Sequence, residues 1–270
     1  MLFLLSFTVL WSPCVSLAPS VGASRPLWEM IPCVVEGADT DTDDTCAWAE
    51  RLGWAFGLIA EDPVVRGAAL VHLAEAQRKV AEALARSNEM WLLTRPLGAD
   101  EQYREPAFLH ARRKYQQAQR CSLPDGVWGG PTNGDLATWP GLPYMLLFLE
   151  WEARYPLEWT QHAKAWGTKQ SLIREVARAR HEEAIKAKLT DLVEIVVHRA
   201  YRCKDREYVR VARAVDSADL RDRLGRATES DSPWARCHAG YVLWLLDRPD
   251  LPNTRRVWQT WVAGEAAALL

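Results

Sequence analysis

The sequence predicts an all-α protein, arranged as an irregular helical bundle. Three observations carry this. Apolar residues recur at intervals of three and four through most of the chain. Pro63 follows Asp62 and Pro106 opens a second periodic run, both as at helix starts. No stretch sustains a two-residue alternation, and no Asn-Gly turn joins two strand-like runs.

In chain order, residues 1–23 form an apolar opening, "MLFLLSFTVLWSPCVSLAPSVGA". The run ends in small residues at Val21-Gly22-Ala23 and resembles a secretory signal peptide with its cleavage site. It has no Lys or Arg before it and is too short for a stable membrane span. A secreted or periplasmic location and a cytoplasmic one both stay open. Residues 24–270 read as a single helical domain. Residues 45–60, "TCAWAERLGWAFGLIA", place Trp48, Leu52, Phe56 and Ile59 near one helical face. Asp62 is positioned to cap a helix that begins at Pro63 and reaches about Leu92. Pro106 opens "PAFLHARRKYQQAQRC".

The stretch 122–143, "SLPDGVWGGPTNGDLATWPGLP", holds five Gly and four Pro. Helix and strand interiors both reject that density, so it reads as one long irregular loop. "YMLLFLEWEARY" is a buried helix or strand. A long helical zone covers 168–203, restarted near Thr190, with acids and bases interleaved as on a solvated face. Shorter helices are expected over 205–215, 218–226, 233–246 and 253–268.

The chain has 270 residues and a net charge of −2, so no global field draws it to nucleic acid. The charge is uneven. Residues 28–62 carry nine acids and one base, and residues 154–226 carry 17 Lys or Arg against 11 acids. These surfaces either compensate each other within the molecule or present a basic face to an acidic partner. Fourteen tryptophans suit helix-packing cores, interfaces or sugar clefts.

Of the six cysteines, Cys33 and Cys46 bracket the acidic stretch and could pair in an oxidising compartment. Cys121, Cys203 and Cys237 read as buried thiols. No C-x-x-C, H-E-x-x-H, G-x-S-x-G, phosphate loop or G-x-G-x-x-G occurs. No metal or cofactor is therefore expected. The nearest approach to a metal motif is "DTDTDDTCAWAE", where Asp39, Asp41, Asp43 and Glu50 fall at positions 1, 3, 5 and 12 of a loop resembling an EF-hand. Asp44 stands where that motif needs Gly, and the alternative is an acidic lead-in to the next helix.

Two segments share the spacing P-x-x-R-x-x-A-x-x-x-L: Pro63, Arg66, Ala69, Leu73, and Pro233, Arg236, Ala239, Leu243. With its leading Asp62, "DPVVRGAALVHL" resembles the second helix of HEAT-type repeats, "DSPWARCHAGYVL" less closely, and "DREYVRVARAV" keeps only Val209-Arg210. The resemblance implies a short α-solenoid, with Asp in one repeat meeting Arg in the next and a concave surface that binds proteins.

The leading functional expectation is thus a protein-binding or scaffolding module. Its contact residues would be Trp128, Asn133 and Trp139 in the loop and Arg174, Arg178 and Arg210 on the basic helices. The alternative is a secreted helical glycan-active hydrolase using Asp125, Asp135, Glu150 and Glu152, since paired carboxylates beside aromatic platforms suit sugar hydrolysis. A protein partner is expected and nucleic acid is not.

Overall fold

A helix begins where a side chain can satisfy the free amides of its first turn, and this chain repeatedly supplies such residues. The computed structural model describes residues 45–131 and 135–268. The described residues belong to one compact unit that spans 37–270, and residues 1–36, with the signal-like opening, lie outside them. The described part is all-α, with twelve α-helices and no strand among the described residues.

Helix α1 (Thr45–Leu52) passes directly into a 3-10 segment, Gly53–Ile59. The expected single helix over 45–60 therefore changes pitch halfway. Trp48 and Leu52 are buried as predicted, but Phe56 is 43% exposed. A 3-10 turn advances 120° per residue instead of 100°, so Trp54, Ala55 and Leu58 turn inward in its place. Gly57 explains why the chain accepts the tighter winding. A Cβ there would stand 2.8 Å from the Ala69 Cβ, so the segment lies almost backbone-to-backbone on the next helix.

That helix, α2 (Pro63–Thr94), has 32 residues. The Asp62 carboxylate accepts from the Val64 amide at 2.8 Å, and Pro63 occupies the first turn, as the sequence indicated. Gly98, at φ 87°, reverses the chain after a 3-10 turn at Arg95–Leu97. Helix α3 (Ala99–Gln102) follows, and its Gln102 amide donates to the Trp91 carbonyl at 2.7 Å, tying the turn to the end of α2. Helix α4 (Pro106–Arg120) then runs back along α2.

Between α4 and the next helix, 3-10 turns at Asp125–Val127 and Leu136–Thr138 interrupt an otherwise irregular path. Leu123, Val127, Leu136 and Trp139 anchor it in the core. Helix α5 (Leu142–Arg154) is the centre of the packing. Eleven of its 13 residues are buried, so it has almost no solvated face. Burying each Leu or Phe of that kind stabilises by about 1.5–3 kcal/mol.

Helices α6 (Pro156–His162), α7 (Trp166–Val176) and α8 (Glu183–Val197) surround α5. The predicted restart near Thr190 falls instead at residues 177–182. His181 Nε2 makes a 2.7 Å contact with the Val176 carbonyl and closes the end of α7, whereas Thr190 is buried inside α8. A 3-10 turn at Asp205–Glu207 leads into α9 (Tyr208–Ala214), α10 (Ala218–Thr228), α11 (Pro233–Leu246) and α12 (Arg255–Ala268). Ser217 and Ser232 cap α10 and α11 through their hydroxyls.

The repeated Pro–Arg–Ala–Leu segment is one local device used twice. Arg66 Nη1 donates to the carbonyls of Ala60 and Glu61 at 2.8 and 3.3 Å. Arg236 Nη1 donates to those of Ser230 and Asp231 at 2.8 and 3.1 Å. In both, the Arg on the first turn reaches back five and six residues and pins the incoming chain. The small residues behave alike too: Ala69 and Ala239 are both buried. Asp62 caps its own helix, while Arg66 pairs with Glu158 at 3.1 Å and lies over the Tyr155 ring at 4.1 Å.

Candidate functional site

A helix buried on nearly all sides cannot leave its charges unpaired. Helix α5 brings two carboxylates inside, Glu150 and Glu152, and the surrounding helices bring cations to meet them. Glu150 pairs with Arg154 at 2.7 Å and Lys188 at 2.5 Å. Glu152 Oε2 accepts from Lys169 at 2.9 Å and Arg199 at 2.8 Å, while Oε1 accepts from Arg202 Nε at 3.0 Å. Asp205 joins the same cluster, 2.6 Å from Lys169 and 3.2 Å from Arg199, with the Arg202 amide at 2.7 Å. Lys169 and Glu152 side chains are both 0% exposed. Arg202 also donates to the Pro156 carbonyl at 2.8 Å and to the Thr160 hydroxyl. Three cations and two carboxylates thus bolt α5, α7 and the turn before α9 together.

Tyr208 borders this cluster. Burial, followed by the charges of Glu152 and Asp205, holds its phenol well above its usual range, so it stays neutral. With Asp205 it lines a cavity of about 40 Å³ whose other walls include Val196, Val209, His238 and Trp258. Burial also lowers the His238 imidazole, against the opposing pull of Asp205. A space of this size takes two or three waters or a methyl-sized group, not a metabolite. Each charge in the cluster meets an opposite one within 3.2 Å.

The residues singled out in the sequence have varied surroundings. Trp128 is exposed, whereas Trp139 packs edge-on against Trp48 at 5.0 Å inside the core. Asn133 lies outside the described residues, as do Asp39, Asp41 and Asp43; Glu50 is exposed on α1. Asp135 caps its 3-10 turn through the Ala137 amide at 3.1 Å. Asp125 is partly buried, which raises its carboxyl. Arg174 and Arg210 come together on Glu207, at 2.8 and 2.9 Å. Partial burial would raise the Glu207 carboxyl, but hydrogen bonds from Arg174, Gln170 and Arg210 outweigh it and hold it at about 2. Arg178 is exposed. Glu175 was not singled out, yet burial raises its carboxyl, and a Cβ on Gly130 would stand 3.1 Å from its Oε2.

Cysteines 46, 121 and 203 are free, and Cys33 lies outside the described residues. Cys121 and Cys237 are half-buried. Cys203 is exposed instead of buried, because it sits in the turn ahead of Lys204, whose φ is 72°. Among the described residues no three His, Cys, Asp or Glu side chains gather as a metal site, and no helix is long and apolar enough to cross a membrane.

Two larger open spaces lie along the seam of α2 and α4. A cavity of about 460 Å³ is lined from α2 by His72, Glu75, Ala76 and Lys79 and from α4 by Lys114 and Ala118. A second, of about 450 Å³, is lined by Ala83, Arg86 and Met90 and by Ala107, His110 and Lys114. The α2 residues step by three or four, and so do those of α4, so each set is one helical stripe. Lys114 borders both cavities, and its side chain makes no hydrogen bond or ion pair among the described residues. Beyond residue 76, only Ser87 and Thr94 of α2 are buried. At the far end Trp91, Leu92, Leu93, Leu97 and Tyr103 are all exposed, with Leu92 at 59% and Leu93 at 64%. Trp91, Leu92 and Leu93 are consecutive, so no helical periodicity marks this face, and the sequence does not say whether another element covers it. Compared with models of protein families, with curated proteins and with solved structures, the chain matches none.

Proposed function

We propose that this chain is a protein-binding or scaffolding helical module that engages its partner through the α2–α4 hairpin. One observation carries the reading. Five large apolar side chains lie exposed within residues 91–103, at the end of a hairpin whose distal half buries little of α2. Water contact with Leu92 and Leu93 is unfavourable by about 25 cal/mol per Å² of apolar surface, and a partner removes that cost. The HEAT-like reading of the two Pro–Arg–Ala–Leu segments belongs to the same proposal, as a scaffold made of packed helix pairs.

A photo-crosslinking residue at Leu93, compared with one at exposed Ala214, tests this in the native host. A discrete protein adduct is expected from position 93 and none from 214, and Leu92→Glu should abolish it. The same adduct from both positions, or none from either, refutes the reading.

A glycan-active hydrolase is the second reading. Glu150 and Glu152 are held in ion pairs, so its acid and base would fall to Asp125 with Glu175. Burial raises both carboxyls, as a general acid requires, and Glu175 abuts Gly130 of the loop that holds Asp125. Release of reducing ends from a polysaccharide panel, lost in both Asp125→Asn and Glu175→Gln, would establish it. No release would end it.

A further inference from the structure

The seam between α2 and α4 has a chemistry of its own, distinct from the apolar tip. Four cations line its two cavities, Arg51, Lys79, Arg86 and Lys114, against two carboxylates, Glu50 and Glu75. Its floor is apolar, formed by methyl groups of Ala76, Ala83, Ala107, Ala111 and Ala118 with Met90 at one end. From His72 to Met90 the stripe is about 27 Å long at 1.5 Å per residue, or about five helical turns.

We infer that this groove seats an amphipathic α-helix of a partner protein, its apolar stripe on the alanine floor and its flanks carrying Glu or Asp. The inference rests on the protein-binding reading above and names the partner's chemistry.

Three considerations select that occupant. A floor of alanines lets a third helix approach to the 8–10 Å at which helices pack. On the rim Lys79 and Arg86 hold only exposed pairs, with Glu75 at 3.6 Å and Glu89 at 2.6 Å, and the Lys114 side chain has no internal partner among the described residues, so acidic flanks complement it. The stripe also continues toward the exposed tip, because Leu93 follows Met90 by three residues on the same helical face. The same helix, or the residues after it, would cover Leu92 and Leu93.

Other occupants fit less well. A second copy would set these cations against themselves across a two-fold interface. Single-stranded nucleic acid needs rings along the groove for stacking, and the floor offers methyl groups.

The test uses the full chain and a fluorescein-labelled helical peptide of about 18 residues, Leu and Ala at i, i+3, i+4 and i+7 with Glu on both flanks. Anisotropy should show binding about tenfold or more tighter than for the same peptide with Lys for Glu, weakening as salt rises. R86E/K114E should lower the affinity about tenfold, and Ala107→Trp, which fills the groove without reversing charge, by a similar factor. Hydrogen exchange should slow in residues 72–90 and 107–121 on binding. Circular dichroism melts confirm that both variants are folded.

Absence of binding by the Glu-flanked peptide overturns the inference, as does equal affinity for the two peptides. So does tighter binding of a single-stranded oligonucleotide, or a dimer that R86E/K114E dissociates. Binding that appears only after Asp39, Asp41, Asp43 and Asp44 are changed to Asn would assign the groove to the chain's own acidic stretch and overturn it too. If the Leu93 cross-link persists while R86E/K114E has no effect on the peptide, the groove assignment fails and the protein-binding reading stands.

Discussion

Glu152→Gln isolates the buried charge cluster with almost no change in volume. The wild-type carboxylate accepts from Lys169 at 2.9 Å, Arg199 at 2.8 Å and Arg202 at 3.0 Å. Glutamine can accept through one oxygen only, and its amide group would point N–H at a cation. The substitution leaves three cations facing the single carboxylate of Asp205. Charge-assisted hydrogen bonds each contribute about 1.5–3 kcal/mol, and breaking a buried ion pair by removing one partner costs about 3–5 kcal/mol. The three contacts share a network, so they do not add, and about 4 kcal/mol is expected. Lys169→Met should cost less, about 2–3 kcal/mol, because Arg199 and Arg202 remain to balance Glu152 and Asp205. Urea unfolding followed by tryptophan fluorescence measures both. A loss below about 1 kcal/mol for Glu152→Gln, as an exposed pair would give, refutes the cluster as a structural bolt. A larger loss for Lys169→Met than for Glu152→Gln refutes the charge-balance reasoning.

Three further substitutions follow from local geometry. Gly57→Ala sets a methyl 2.8 Å from the Ala69 Cβ and should destabilise by about 1–3 kcal/mol, read as a lowered Tm. Glu207 has a folded pKa of about 2 against an ordinary 4.5, so its contribution is complete above about 4.5 and disappears as pH falls toward 2. Glu207→Gln should therefore cost about 1–2 kcal/mol at neutral pH, discounted for the solvent around Arg174 and Arg210, and flatten acid unfolding between those values. For His238, burial lowers the folded pKa below 6.5, so the unfolded chain takes the proton first and stability falls as pH drops below that value. His238→Phe should remove that part of the slope, measured by urea midpoints across the range.

What could be read from the sequence was local. Asp62 with Pro63, and Pro233 after its own turn, mark helix starts because capping is settled within a few residues. The charge of the basic helices was harder. Interleaved signs say that a helix face is polar, but not where its counterions come from. Arg174 meets Glu207, 33 residues away, and Lys169 meets Asp205, 36 residues away. Nor could periodicity show that Glu152 lies at the centre of a bundle, since an acid in an apolar run reads as a break in the pattern. Phe56 illustrates the opposite failure. Its position suited an α-helical face, but the Gly57–Ala69 approach set the winding, and that contact exists only once α2 packs.

These internal pairings also redirect the search for a binding surface. A residue that holds a structural counterion cannot leave it for a partner without exposing the charge left behind, at a cost of a few kcal/mol. Arg174 and Arg210 share Glu207, Arg223 contacts Asp191, Glu194 and Asp219, and Arg221 bridges Asp216 and Asp247. These four arginines are thus compensated inside the bundle. On α4 the balance differs: Arg112, Arg113 and Lys114 stand exposed, and the helix contains no acid. A partner's carboxylates gain there without displacing anything. The surface that attracts an acidic partner is therefore the hairpin of lower overall charge, not the segment with the most cations. Reversing Arg174 or Arg210 should leave peptide affinity within about twofold, while reversing Lys114 with Arg86, whose exposed pair with Glu89 is weak, lowers it about tenfold. Equal losses at both places would show a response to net charge alone and defeat the argument from pairing.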